Sequence, residues 1–434
     1  MRTLAMRAVV VAVVVWGMGA GWRDAEARSL SDLIRESVPP TSIQSDLIAI
    51  DTSLVRGSSD AITTVMAEAL QRIAIRGVDF PVVATVPGFS YVYNPTLQTF
   101  ERSTHLGPVF SERAETLGRG RFEIGLSYLY ADLDQVNGDD LGEYTGTSFL
   151  TELDGGLVAF LDSRIDFSEF SIQHHWLNAS FTYGITDRWD ANLLVPMVQT
   201  SLTLRGRQRY VVAVCQPPAC GSADLQTIAS TAPRTIRADG DRFGVGDLLV
   251  RTKYRFLEGP VNVAAVLTLR LPTGDEEDFQ GLGDTAITPS LVAAAPLGAG
   301  FSMYGNFGFE VNADDPQRNR VRYALGAAYQ VIERVAILAD VIGSSSFIDD
   351  DFVVPSRRGA EVVKNVDGNS PNGLNIEPQS ETYSIPRSDV VDLAVGAKVS
   401  LAGGATAFIG AIVPLTDDGI RAEVIPTGGI EIGF

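Results

Sequence analysis

From Arg121 to the last residue the chain alternates apolar and polar positions with a period of two, the pattern of strands that present one face to an apolar medium. Phe122, Ile124, Leu126, Tyr128 and Tyr130 share one face, and Glu123, Gly125 and Ser127 share the other. Residues 168–183 form a noisier run, clearest at Leu177, Ala179, Phe181 and Tyr183. After a tight turn at 184–188, Trp189, Ala191, Leu193 and Val195 alternate with Asp190 and Asn192. Residues 248–256 place Leu248, Val250, Thr252, Tyr254 and Phe256 opposite Asp247, Arg251, Lys253 and Arg255. Phe301, Met303, Gly305, Phe307, Phe309 and Val311 make the cleanest face. Further strands are predicted at 261–271, 284–296, 321–331, 335–347, 391–401, 405–413 and 422–434.

The connections between these strands alternate in length. Longer segments fall at 133–167, 205–242, 273–283, 313–320, 348–388 and 415–421, with short turns between them. About twelve strands result, an even number, with long loops expected outside and short turns in the periplasm. The fold class predicted is all-β, a transmembrane antiparallel up-and-down barrel over residues 121–434. An open sheet is excluded in a bilayer, because unpaired backbone groups in hydrocarbon cost several kcal/mol each. Phe181, Tyr183, Trp189, Tyr254, Phe256 and Phe301 lie near the short turns and read as an aromatic girdle. The alternating ending through Ile430 and Ile432 to Phe434 looks like the closing strand of such a barrel. Its terminal aromatic is expected to be read by the barrel-assembly machinery.

Residues 1–27 read as a secretory signal peptide: a basic start at Arg2 and Arg7, an apolar run, and Ala25-Glu26-Ala27 as the cleavage site. The predicted location is the cell outer membrane, in contact with its lipid, with both termini periplasmic. Residues 28–120 do not follow the strand pattern. Helices are predicted at 29–36 and 60–76, and a small hairpin at 89–102 turning at Asn94-Pro95. This segment either plugs the barrel or stands beneath it.

The net charge of −19 argues against a nucleic-acid partner, which requires Lys and Arg to replace phosphate counterions. The two cysteines, Cys215 and Cys220, are candidates for a small loop disulfide in an exported chain. Neither their spacing nor any other cluster suggests a metal site or cofactor.

Three stretches resemble a known family. They are residues 107–122 at the entry to the first strand, Phe243-Gly244-Val245-Gly246-Asp247 with Lys253-Tyr254-Arg255-Phe256, and Leu271-Pro272-Thr273-Gly274-Asp275 followed by Gly281-Leu282-Gly283-Asp284. Together they look like the outer-membrane proteins of the meta-pathway phenol-degradation family. The resemblance implies a barrel that takes up aromatic or other small hydrophobic compounds, and it carries no catalytic residues. The Gly-x-Gly-Asp element occurs twice, at 244–247 and 281–284. It reads as a bulge or bend device rather than a phosphate loop, since no Lys-Ser/Thr or helix follows.

Inward-facing charge is where function is expected. Arg251, Lys253 and Arg255 form a basic stripe, Arg270 lies on the neighbouring strand, and Arg322 and Lys398 add positive charge. Glu310, Asp340, Asp392 and Glu423 supply acid on the same face, joined by Glu123, Asp247 and Glu431, and Glu310 is positioned to pair with Arg322. This set either lines a selective pore or neutralises itself in a closed one. Acidic loop tips such as residues 275–278 read as solvated, without the spacing of a calcium loop. His174 and His175 point to opposite faces and so cannot chelate one metal together. The leading functional reading is a passive channel for small, apolar or aromatic solutes. A closed structural or surface-interaction barrel is the alternative, and a barrel hydrolase built on a wall histidine is a third.

Overall fold

The computed structural model describes residues 28–37, 91–94, 99–102, 108–136, 139–140, 143–153, 157–215, 226–230, 232–356, 360–362, 374–376, 379–385, 387, 389–401 and 404–434. The expected signal peptide, the helix at 60–76 and Cys220 lie outside these residues.

Twelve antiparallel strands close on themselves. They are β1 (Phe122–Leu133), β2 (Leu157–Thr186), β3 (Trp189–Cys215), β4 (Leu248–Leu257), β5 (Asn262–Leu271), β6 (Ala286–Gly298), β7 (Phe301–Asn312), β8 (Arg320–Ile332), β9 (Val335–Ser346), β10 (Asp389–Ser400), β11 (Ala405–Pro414) and β12 (Ile425–Gly433). Each pairs with its neighbours in the chain, and β12 pairs with β1, with Ile430 opposite Leu126 and Ile432 opposite Ile124. Phe434 completes the seam: its amide donates to the Phe122 carbonyl (2.8 Å), and the Phe122 amide donates back (3.2 Å). The barrel's first and last strands therefore meet at the short-turn end.

The two faces of this wall are inverted relative to a soluble protein. Outside, Phe122, Leu126, Trp189, Tyr254, Phe307 and Leu325 are exposed; inside, Glu123, Asp190, Lys253, Glu310, Asp340 and Lys398 are buried. A closed sheet with an apolar exterior and a polar interior satisfies every backbone group while facing hydrocarbon, so the chain is an outer-membrane β-barrel embedded in lipid. Tyr183, Trp189, Tyr254, Phe256 and Phe301 of the predicted girdle are exposed around the short-turn end. There Trp189 donates its indole N–H to Thr252 (2.6 Å), and the Phe301 and Tyr329 rings pack at 4.4 Å.

Two segments expected as loops are strands instead. β2 and β3 run for 30 and 27 residues, far beyond the membrane. Strands at Glu143–Leu153 and Arg234–Val245 pair with their outer ends. Above the bilayer the outward positions turn polar while inward residues such as Ile172, Leu202, Leu204 and Ile236 stay buried, so the outward-apolar alternation that marks a membrane strand disappears while backbone pairing continues.

Helix α1 (Leu30–Ser37) forms where helical spacing predicts it. Ser29 caps it, accepting from the Asp32 amide (3.0 Å). The helix does not stand beneath the barrel. Leu30 and Ile34 are fully buried, Leu30 and Leu33 lie over Gly240, and the Ser31 amide donates to Glu277 (2.9 Å). α1 thus caps the lumen from the long-loop end. The predicted hairpin is present as Tyr91–Asn94 paired with Thr99–Arg102.

Candidate functional site: the barrel lumen

Residues 108–118 rise inside the barrel as an extended chain fastened to the wall on several sides. Ser111 donates to Asp340 of β9, and the Phe110 amide reaches the same carboxylate (3.4 Å). Lys253 of β4 donates to Glu112 (3.1 Å) and to the Arg113 carbonyl (3.2 Å). Arg251 stands 3.9 Å from Glu112. Asn306 of β7 brackets Glu112: its amide nitrogen donates to the Glu112 carbonyl (3.0 Å), and its oxygen accepts from the Glu112 amide (2.5 Å). Lower down, Asn262 of β5 donates to Glu115 (3.1 Å), and the Leu117 amide donates to Asp190 of β3 (2.8 Å). Residues 108–118 thus run inside the barrel, fastened to its wall.

The exit from the plug needs glycine. Gly118 and Gly120 hold φ of +94° and +71°, the left-handed region that costs L-residues with a Cβ. A Cβ on Gly184 would sit 1.8 Å from the Gly118 carbonyl oxygen, so plug and wall touch backbone to backbone.

The loop 273–283, expected to stand outside, instead folds into the lumen. Phe279 is fully buried and Gln280 and Leu282 nearly so. The paired Gly-x-Gly-Asp elements explain the fold. Asp247 of the first accepts the Gly274 amide (3.0 Å) and the Leu282 amide of the second (2.8 Å). A Cβ on Gly281 would lie 2.4 Å from the Asp247 carboxylate, and one on Gly246 would lie 2.9 Å from the Gln280 carbonyl oxygen. The motif is therefore a docking device for an inward loop, consistent with a geometric rather than phosphate-binding role. Asp278 from the same loop accepts the Leu30 amide (2.9 Å), joining the loop to α1, and burial pushes its carboxyl up.

Between plug and loop lies a cavity of about 300 Å³. Its lining includes apolar residues, among them Leu129, Trp176, Leu194, Leu249, Val266 and Val292, and charged ones, among them Arg251, Arg270, Arg322, Glu112, Glu310 and Asp392. Glu310 takes Arg322 (2.6 Å), as expected from their neighbouring strands, and also Arg270 (3.4 Å) and Arg320 (3.5 Å). Asp284 holds Arg270 (2.6 Å) and Arg318 (2.9 Å). Asp392 is paired with Arg421. The walls thus combine a greasy surface with a cross-linked charged one.

The remaining predicted lumen residues divide. Asp340 and Lys253 hold the plug. Lys398 is buried, with charge interactions to Glu431 and Glu123, and its ammonium is 5.8 Å from the Phe408 ring. Arg255 sits at the rim, donating to the Asp187 carbonyl (3.2 Å) and facing Glu258 (3.4 Å). Glu423 is not in the lumen: it is exposed ahead of β12, because that strand begins at Ile425 rather than Ala422. Glu112 and Arg113 were missed by strand parity because they lie ahead of the first strand, and Asp284, read as the first residue of a strand, lies two residues before β6 begins at Ala286.

Among the described residues, His174 and His175 hydrogen-bond to Thr200 and Tyr128 and to no serine. The His174 ring is buried against Trp176 (4.6 Å) and near Thr200 (3.3 Å), while His175 meets the Tyr128 hydroxyl (2.6 Å) on the outer face. Ser171 donates to Asp132 (2.5 Å). Among the described residues no group of three or more His, Cys, Asp or Glu is arranged to hold a metal.

Residues 155–351 match the family model described as "Putative MetA-pathway of phenol degradation". That span contains both Gly-x-Gly-Asp elements and excludes the plug. No curated protein matches the chain. Among solved structures, an outer-membrane channel from Pseudomonas putida F1 aligns at 14% identity, covering 74% of this chain and 98% of that one, with a TM-score of 0.43. The Ralstonia pickettii toluene transporter TbuX aligns at 10% identity, 73% and 90% coverage and a TM-score of 0.32. A Pseudomonas aeruginosa FadL homologue aligns at 10% identity, 72% and 89% coverage and a TM-score of 0.31.

Proposed function

We propose that the chain is a gated outer-membrane channel for passive uptake of small solutes with an apolar body and a polar or anionic handle. The observation that carries this reading is the cavity's mixed apolar and charged lining. Trp176, Leu194 and Val266 would desolvate a ring or short hydrocarbon, while Arg251 and Arg322 would engage a hydroxyl or carboxylate. Phenolic and aromatic-acid compounds fit that description, in keeping with the family's described association with phenol degradation.

In this reading the mature chain begins after residue 27, residues 28–120 supply the gate, and residues 121–434 supply the wall. Solute moves down its gradient without bond chemistry once plug or loop yields. The strand ending at Phe434 would engage the assembly machinery. A closed, structural barrel is the competing reading, favoured by the occlusion of the lumen from both ends.

Proteoliposome flux separates them. Full-length protein should admit benzoate or phenol faster than empty vesicles, and a chain lacking residues 28–118 should admit them faster still. Flux indistinguishable from empty vesicles for both proteins would overturn the channel reading.

A further inference from the structure

The strongest charged feature that the lumen does not use lies on the outside of the barrel. Arg205, Arg207 and Arg209 are successive outward positions of β3 and all are exposed. Arg237 on the paired strand stands directly opposite Arg205, also facing out. Four arginines thus share one surface in a chain whose net charge is −19. Three carboxylates accompany them. Glu169 (3.4 Å) and Asp239 (3.5 Å) contact Arg205, and Asp239 also contacts Arg237 (2.5 Å). Asp166 is the register partner of Arg207. Among the described residues Arg207 and Arg209 form no ion pair, so the surface keeps two unclaimed guanidiniums beside a neutralised base.

Height identifies what this surface meets. The same face of β3 carries Trp189, Ala191, Leu193, Val195 and Met197, then the polar Gln199, Ser201 and Thr203, and then the arginines. A belt about 25 Å tall beginning at Trp189 ends near Gln199, with strands rising ~3.3 Å per residue at a tilt of ~40°. Arg205 to Arg209 then stand roughly 15–25 Å above it by the same geometry. That layer of the outer leaflet is filled by the sugars of its glycolipid, whose inner-core residues carry phosphate groups. A guanidinium matches phosphate in a bidentate fork, and an arginine without a protein partner is the one free to do so.

We propose that Arg207 and Arg209, supported by Arg205 and Arg237, form a docking surface for the inner-core phosphates of outer-leaflet lipopolysaccharide. The glycolipid would then brace the β2–β3 extension where it leaves the membrane. The proposal is independent of what passes through the lumen.

The test uses the full-length folded protein and purified lipopolysaccharide in four forms: intact, enzymatically dephosphorylated, truncated to lipid A with its first sugars, and replaced by inorganic phosphate. Wild type should bind the intact form at least tenfold more tightly than the dephosphorylated and truncated forms, and weaken as salt rises. Phosphate alone should compete only at high concentration. Arg207→Gln with Arg209→Gln should remove the tenfold preference while the heat-modifiable migration of the barrel is unchanged. Asp166→Asn with Glu169→Gln should tighten binding several-fold, and this pair decides the matter should the arginine variant misfold. Equal binding of intact and dephosphorylated glycolipid would overturn the proposal. Preference for the truncated form would move the contact to lipid A and overturn it equally, as would an acid-neutralised pair that binds no tighter than wild type.

Discussion

Glu112→Gln isolates the plug's central latch. In the closed barrel the Glu112 carboxylate serves Lys253 (3.1 Å) and Arg251 (3.9 Å), and all three side chains are at least 86% buried. The glutamine keeps the volume and one acceptor but leaves two cations without their counter-charge. Removing one partner of a fully buried pair costs about 3–5 kcal/mol; with this much residual solvent contact roughly 2–3 kcal/mol is the fitting scale. The loss falls on the closed state alone, because a displaced plug leaves Lys253 and Arg251 facing a wetted lumen. At 1.4 kcal/mol per decade the closed-to-open ratio should drop about 30- to 150-fold. Planar-bilayer recording measures this directly as open probability. The double variant Glu112→Gln/Lys253→Met should be less open than Glu112→Gln, since one stranded cation is gone. An open probability unchanged by Glu112→Gln would refute the claim that this ion pair holds the plug.

Further outcomes follow from the same geometry. Arg251→Gln should lower anion preference in reversal-potential measurements, whereas Arg255→Gln at the rim should leave it near wild type; equal effects would place both in the conduction path. Gly281→Ala drives a Cβ to 2.4 Å from the Asp247 carboxylate, so the inward loop must shift at a cost of about 1–3 kcal/mol. Faster protease cleavage within 273–283 would report it. Glu115 belongs to the plug, and its carboxyl is held below the usual range: burial, the largest single effect, opposes this, but the adjacent Arg113, a backbone hydrogen bond, the Asn262 hydrogen bond and Lys253 together outweigh it. A depressed folded value means that its contribution is complete above the unfolded value of about 4.3 and is lost as pH falls through the folded one. Conductance should therefore rise below about pH 4 in wild type, and Glu115→Gln should flatten that rise.

The wall was legible in the sequence because one physical rule writes it. Every lipid-facing residue must be apolar and every second residue faces lipid, so Phe301 through Val311 announce their strand without any tertiary information. The aromatic positions near the short turns and the closing role of Phe434 follow from the same rule. Legibility ended where the rule ends. Past Gln199 the outward positions of β3 become polar and charged while only Leu202 and Leu204 keep an apolar inward face, so the outward-apolar alternation that marks a membrane strand is no longer there to read. Glu423 failed for a related reason: it lies two residues before β12 begins at Ile425, where parity extends on paper ahead of the first pair.

The lumen was only half legible, and the missing half is the part that closes it. Parity puts Arg251, Lys253, Arg270, Glu310, Arg322, Asp340, Asp392 and Lys398 on the inward face, where they are buried or line the cavity. It cannot place their partners, because Glu112 and Asp284 lie outside strands and Arg421 sits in a two-residue strand, Ile420–Arg421, too short to show a period. An acidic residue just before the first strand could equally have been solvated. What could have been noticed is a stoichiometric argument. A barrel wall that points this many charges inward leaves each at a desolvation cost of several kcal/mol unless something of opposite sign fills the lumen. The lumen of a twelve-stranded barrel lies between those filled by their own side chains and those filled by water. Inward charge on opposing strands thus calls for a charged insert, and the glycine-rich entry at Gly118 and Gly120 is where an inserted chain must turn to become wall. The same glycines let the plug lie backbone to backbone against Gly184, so a side chain at any of the three should loosen the gate from below, as Glu112→Gln loosens it from within.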